Sequence, residues 1–230
     1  MSELRIGLVA EGATDQIVIE AALNAILPEP FVLQLLQPEA TRPKLGGGWC
    51  GVLKWCLEFR ARDLARLEND PTLEFFDLIV LHLDADVADG AYDQCGTNID
   101  EQADGLGFLP CVEPCPPPGD TIDALKTVLL SWLGVVGSGP RTLLCIPSKS
   151  IESWVAAALL PDSHALLDDI ECEPALSARL AQLPLAQRVR KNRRDYNKHA
   201  GKISKAWADV CVRCEQARRF HSAVQAAVGA

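Results

Sequence analysis

The chain has 230 residues, 48% of them hydrophobic and 23% charged, and a formal net charge of −9. That length supports one sizeable core, as a single domain or a domain with an extension, and the composition is that of an ordinary globular protein, not a disordered or fibrous one. No apolar run approaches the roughly 20 residues a membrane-spanning helix needs, so no membrane partner is expected.

The opening residues enter a strand pattern without a basic start, a long apolar stretch or a cleavage site, so no secretory signal is expected. Nine cysteines are many for this length, but the number is odd and the spacing irregular. The expectation is reduced thiols in a cytoplasmic protein, not a disulfide framework. Charge is spread unevenly. Residues 179–219 hold twelve of the 22 Lys and Arg but only three of the 31 acids, Asp195, Asp209 and Glu215, which leaves 10 basic against 28 acidic residues elsewhere. An acidic body suits metal binding and a basic tail suits phosphate contact, although a solvated helical face is the commoner fate of a charge run.

Residues 4–10 read as a strand buried on both sides, because their apolar character is continuous. The run stops at Glu11-Gly12-Ala13-Thr14-Asp15, the pattern of a strand ending in a tight turn into a helix. Gly12 permits a sharp turn, and Thr14 or Asp15 can cap the helix. A helix starting near Gly12 puts Asp15 four residues after Glu11, so the two carboxylates can face one site. The helix is expected over 15–27, stopped by Pro28, and a second strand over 31–36. Gly46-Gly47-Gly48 then leads to a helix over about 51–68. This triple glycine lacks the Lys-Ser/Thr ending of a P-loop and reads as a flexible loop.

The clearest strand is residues 76–83, which ends in Asp84-Ala85-Asp86 with Asp89 and Asp93 close behind. Residues two apart on a strand point to the same side, so Asp84 and Asp86 are expected to present two carboxylates together. Like charges packed this way call for a cation between them, and Mg²⁺ favours one or two carboxylates with waters and substrate phosphates. Residues 87–119 form a long insertion rich in Asp, Gly, Pro and Cys, of a length usually functional or disordered. Cys95, Cys111 and Cys115 there lack a fourth zinc ligand at recognisable spacing, and Cys211 and Cys214 form a CxxC without a second pair. A helix over 120–133, capped by Asp120 or Thr121, and a strand over 141–146 follow. Ser148 or Ser150 then caps a helix that runs to about Leu160 with Glu152 in its first turn, where a carboxylate suits the helix dipole. The remainder is helical by composition, carries the basic run from Arg188 to Arg194, and closes with one long helix over about 202–228.

Glu11-Gly12-x-Thr14-Asp15 after the first strand, Asp84-x-Asp86 after a later one, and Ile151-Glu152-Ser153-Trp154 opening a helix together resemble the Toprim domain. That metal-binding fold is shared by topoisomerases, primases and OLD-type nucleases. The pattern is similar above all to small stand-alone Toprim-like proteins of unknown function related to the OLD-type anti-phage nucleases. It spans roughly residues 4 to 160, with a softer echo at Tyr196-Asn197-Lys198 and in the closing helix. The resemblance implies an α/β fold with a mainly parallel sheet flanked by helices. Residues 1–165 would form the metal-binding domain, and 166–230 a basic helical extension packed on it.

It implies further that Glu11 ligates a metal or shuttles a proton, that Asp15 supports a metal, and that Asp84 and Asp86 are the principal ligands of Mg²⁺ or Mn²⁺. Glu152 would complete a second metal position. A late lysine would stabilise phosphate charge, best matched by Lys198, with Lys149 and Lys202 behind it. These residues include no ATPase domain, so any ATP dependence would come from a separate ATPase subunit.

The chemistry can be stated without the family name. Two divalent ions about 4 Å apart activate a water and relieve charge on the leaving oxygen of a phosphodiester. Arg188, Arg190, Lys191, Arg193, Arg194 and Lys202 would hold the nucleic-acid backbone, DNA or RNA, without reading bases. The expected activity is that of a cytoplasmic, metal-dependent nuclease in defence against phage or mobile elements. A non-catalytic Toprim-like subunit that binds a partner ATPase or nucleic acid is the alternative, and a phosphatase acting on a small substrate is a third. Tyr92 lies in the insertion and Tyr196 in the basic tail, which argues against covalent topoisomerase chemistry.

Overall fold

In the computed structural model, which describes residues 3–39 and 41–229, four strands form one parallel sheet. They are β1 (Leu4–Val9), β2 (Phe31–Gln37), β3 (Leu78–His82) and β4 (Thr142–Cys145), in the order β2-β1-β3-β4. The helices are α1 (Ala13–Ile26), α2 (Gly48–Arg60), α3 (Thr97–Asp100), α4 (Gly119–Leu133), α5 (Glu152–Leu159), α6 (Leu176–Gln182), α7 (Arg193–Lys205), α8 (Trp207–Arg213) and α9 (Glu215–Val228). Among the described residues, no helix is long and apolar enough to cross a membrane.

β1 pairs with β2 from Leu4↔Phe31 to Val9↔Gln37, and with β3 from Ile6↔Leu78 to Val9↔Leu81. The α/β class expected from the sequence is the one observed. Parallel neighbours need long crossovers, and the helices that make them cover both faces of the sheet. The strand order reverses at β1, because the chain leaves it for β2 on one side and returns to β3 on the other. Ligands of open α/β sheets gather beyond the strand ends at such a reversal.

Alternate strand residues feed the two faces. Ile6, Leu8, Leu78, Val80 and Leu143 pack with α1, α5 and the C-terminal helices. Val9, Ile79, Leu81 and Leu83 pack with α2, α4 and the insertion. Gly7 sits in a tight place, since a Cβ there would come within 2.8 Å of Leu36 Cδ1 and 3.2 Å of Phe76 Cγ, and both side chains would have to shift. The C-terminal helices belong to the first of these cores: Trp154 of α5 meets Trp207 edge-on at 5.2 Å and stacks on Phe220 at 5.8 Å. Such aromatic pairs add about 0.5–1.5 kcal/mol beyond the area they bury.

Several local expectations give way to tertiary packing. The single closing helix is three, α7, α8 and α9, broken at Ala206 and at an extended Cys214 (φ −111°, ψ 112°). The kinks let Trp207 and Phe220 both reach Trp154. The helix expected to 68 ends at Arg60. Gly12 is extended (φ −160°), and α1 has no side-chain cap. Neither Asp120 nor Thr121 caps α4; the Thr121 hydroxyl bonds the Glu113 backbone instead.

The cysteines also depart from expectation. Cys50 is bonded to Cys95, and Cys115 to Cys172, so both ends of the insertion are tied down, one to α2 and the other to the turn before α6. Cys56, Cys111, Cys145, Cys211 and Cys214 are free. Separations of 45 and 57 residues carry no local signal of pairing, and the fold alone brings these thiols together.

Candidate metal centre

The chain leaves β1 at Ala10, and Glu11 stands just past the sheet edge. Its Oε1 accepts a hydrogen bond from the Asp84 N–H at 2.7 Å, which ties the turn after β1 to the turn after β3. The triple-glycine loop closes on the same turn: Gly46 and Gly48 take φ of +74° and +67°, and the Gly48 N–H donates to the Glu11 carbonyl at 2.8 Å. A side chain at either glycine would be strained.

β3 ends at His82, and the backbone stays extended through Asp84 (φ −67°, ψ 140°) before turning over Ala85–Asp89. The residues that share a face at this strand end are therefore His82 and Asp84, and Asp86 leaves on the turn. His82 Nε2 lies 3.3 Å from Asp84 Oδ1, an ion pair when the imidazole is protonated. Asp84 Oδ1 also accepts the Ile151 N–H at 2.9 Å. In that position it does for the first turn of α5 what Ser148 and Ser150 were expected to do. The Ser148 hydroxyl donates instead to the Glu171 carbonyl.

One ligand atom each from Glu11, His82 and Asp84 lie within 4.8 Å of one another. His82 is fully buried, and among the described residues neither ring nitrogen has a hydrogen-bond partner. A buried, unpaired imidazole beside two carboxylates is a donor set that fits a divalent cation.

Burial dominates the electrostatics. It pushes the Glu11 carboxyl up to about 8, with the Asp84 charge adding to it. Asp15, only 2% exposed, rises to about 6, again first through burial, with His82 and Lys191 working against the rise. Asp86 is exposed, yet desolvation and the charge of Asp84 raise it to about 6 as well. Burial alone would lower His82, but its contact with Asp84 and the charges of Asp84, Asp15 and Glu11 outweigh that and carry it up to about 9.

Glu152 opens α5 and is 1% exposed. Its Oε1 accepts from the Tyr196 hydroxyl at 2.6 Å and lies 3.0 Å from Lys191 Nζ, while Oε2 is left without a partner. Burial opposes the Lys191 charge, but Glu152, Asp84 and Asp15 hold the ammonium above the usual lysine range. Tyr196 is pushed up by burial and then by Glu152.

The chain matches no model of a known protein family, no curated protein and no solved structure. What it does must be read from the geometry. Glu11, Asp15, Asp84, Asp86 and Glu152, taken from three separate segments, form one group linked through mutual charge. The cation brought onto these acids is Lys191, just before α7. Lys198 is exposed and lines a separate groove of about 180 Å³ with Arg188, Arg190 and His199. Lys149, with φ of +53°, faces Asp89 at 3.5 Å.

Among the cations expected to hold nucleic acid, Arg190, Arg193, Arg194 and Lys202 are exposed. Arg188 is half-buried and donates from Nε to the Leu183 carbonyl at 3.0 Å. The sequence reading missed His82 and the carboxylate partnership of Tyr196. Its one usable signal for His82 was the two-residue spacing to Asp84 on a strand.

Proposed function

We propose that this protein is a divalent-metal-dependent phosphodiesterase acting on nucleic acid, in keeping with the Toprim-like pattern of its motifs. The observation that carries the reading is the convergence of Glu11, His82 and Asp84 within reach of one ion, flanked by three more acids and by Lys191. A bound ion would supply Lewis acidity and a water deprotonated near neutral pH. Glu11, His82 and Asp84 would hold it. Asp15, Asp86 and the unpartnered Oε2 of Glu152 are the donors available to a second.

The protein's own cations then take the substrate's charge. Lys191, steered by Glu152 and Tyr196, presents an ammonium at the mouth of the acid group. Beyond it, Arg194, Lys198, Lys202 and Lys205 are exposed at helical spacing on one side of α7. Helical rise separates the outermost pair by roughly 16 Å, long enough for a polyanion backbone and wasted on a small phosphoester. A role in defence and a partner ATPase belong to the same proposal.

The test is cleavage of plasmid, linear and single-stranded DNA and of RNA by the purified protein in Mg²⁺ or Mn²⁺, beside an aryl phosphate. Metal-dependent cleavage of a polynucleotide, lost in Asp84→Asn and in Lys191→Ala with the circular-dichroism spectrum intact, is the expected result. Turnover of the aryl phosphate alone would make it a phosphatase. No cleavage of any polynucleotide by the wild type, with binding retained, would make it a non-catalytic subunit.

A further inference from the structure

β3 reads Leu-Ile-Val-Leu-His, and in most buried strands a fifth apolar residue would stand where His82 does. The imidazole is wholly enclosed, and among the described residues neither nitrogen has a hydrogen-bond partner; the Asp84 carboxylate is its charged neighbour. Buried polar groups are nearly always hydrogen-bonded, and a native exception calls for an explanation such as a catalytic role or a missing ion. His82 is not merely near the acids. Strand alternation aims it to the same side as Asp84, and its Nε2 approaches Asp84 Oδ1 to 3.3 Å without forming a hydrogen bond.

Two donors that share one ion at about 2.1 Å each lie roughly 3 to 4 Å apart. The separations within the Glu11, His82 and Asp84 set fall inside 4.8 Å, so a small adjustment closes it on a cation. The backbone around the set is already fixed, by the Asp84 N–H to Glu11 and by the Ile151 N–H to Asp84.

Donor chemistry decides which cation. Mg²⁺ is a hard ion that keeps its waters and binds through oxygen. Imidazole nitrogen instead suits the first-row transition metals, whose affinity for a mixed nitrogen and oxygen set rises along the series from Mn²⁺. An all-carboxylate site at this sheet edge would not need His82, and a burial that merely tolerated the ring would have given it a hydrogen-bond partner.

We propose that Glu11, His82 and Asp84 form a mixed nitrogen–oxygen site selective for a first-row transition-metal dication over Mg²⁺, with His82 Nε2 as a direct ligand. This rests on the reading of the acid group as a metal centre and specifies its ion.

The experiment uses Mn²⁺ as the probe on the full chain. Electron spin echo envelope modulation of the Mn²⁺-loaded protein is expected to show ¹⁴N coupling, replaced by the ¹⁵N pattern in protein labelled at histidine. Equilibrium binding is expected to favour Mn²⁺ over Mg²⁺ by at least about 100-fold. His82→Asn should lose most of that preference and the nitrogen signal. Because a buried substitution can disturb folding, the spectroscopic result on the wild type stands without the variant.

Mn²⁺ bound with no nitrogen coupling overturns the assignment of His82 and leaves the metal centre standing on its carboxylates. An equal loss of both metals in His82→Asn assigns the ring a packing role and likewise overturns it. Binding of neither ion to the wild type removes the metal centre itself.

Discussion

Tyr196→Phe tests whether Glu152 is held from the C-terminal helices. The phenol is buried and its hydroxyl donates to Glu152 Oε1 at 2.6 Å. Phenylalanine keeps the ring and its packing and deletes only that donor. A hydrogen bond to a charged group contributes about 1.5–3 kcal/mol, and a buried acceptor stripped of its partner adds its desolvation penalty. Lys191 remains 3.0 Å from the same oxygen, which moderates the loss. Its side chain is 42% exposed, so solvent screens much of what it can supply.

The expected destabilisation is therefore about 1.5–2.5 kcal/mol, and at this chain length that lowers Tm by roughly 3–10 °C. Calorimetry or circular dichroism on chelator-treated protein measures it. Glu152→Gln completes a double-mutant cycle: with the charge removed, Tyr196→Phe should cost less, leaving a coupling of about 1–2 kcal/mol. Additive effects, or a Tm change below about 1 °C for Tyr196→Phe alone, would refute the picture of a buried carboxylate anchored by the phenol.

The metal-free protein should lose stability as pH rises. Glu11, Asp15 and Asp86 have folded pKa values above their ordinary ones, so between pH about 4 and about 8 the folded chain keeps protons that the unfolded chain has released. His82 is raised to about 9; its contribution is complete below its ordinary value and disappears as pH passes 9. All four act in one direction, and Tm in chelator should fall between pH 5.5 and 8.5, with divalent metal restoring it at the upper end; a flat or rising profile contradicts the site. On α7, replacing Lys198 and Lys202 by Gln should weaken single-stranded DNA binding, measured by fluorescence anisotropy, and reduce the slope of log affinity against log salt by about 1.4. An unchanged slope removes α7 from the binding surface. For the cysteines, unfolded but unreduced protein should titrate five thiols with an aromatic disulfide reagent, matching the five free cysteines. A dithiol reductant should expose the remaining four, and full reactivity without reductant would contradict both pairings.

The parts of the fold legible in the sequence are those settled by local chemistry. Residues 6–10 and 78–81 are apolar runs followed closely by acids, and a parallel sheet buried on both faces demands that pattern. Glu11 and Asp84 were legible for the same reason, since each is the first acid past such a run. The breaks in the closing helices were not legible. No glycine or proline marks Ala206 or Cys214, and the cause is a tertiary one, the docking of Trp207 and Phe220 on Trp154. His82 was hidden by its neighbours, because a histidine in an apolar strand reads as core until its unpaired nitrogens are seen in three dimensions.

The choice between Lys191 and Lys198 shows most clearly where sequence runs out. Both sit in one basic run, and composition treats them alike. Asn192 separates their fates: its side chain caps α7 by accepting the Asp195 N–H at 3.0 Å, so the helix starts there and Lys191 lies outside it, where its side chain reaches back to Glu152. Lys198 is two residues past Tyr196 on the helix, and the rotation that buries Tyr196 against Glu152 turns Lys198 to solvent. The acids thus come from the sheet edge and the start of α1 and α5, while the cation that offsets them comes from the segment just before α7, almost forty residues after Glu152 in the chain. That division explains how several carboxylates can share a partly desolvated crevice. In the absence of an ion they rely on retained protons, His82 and Lys191, and any divalent cation entering the site has to displace that internal charge.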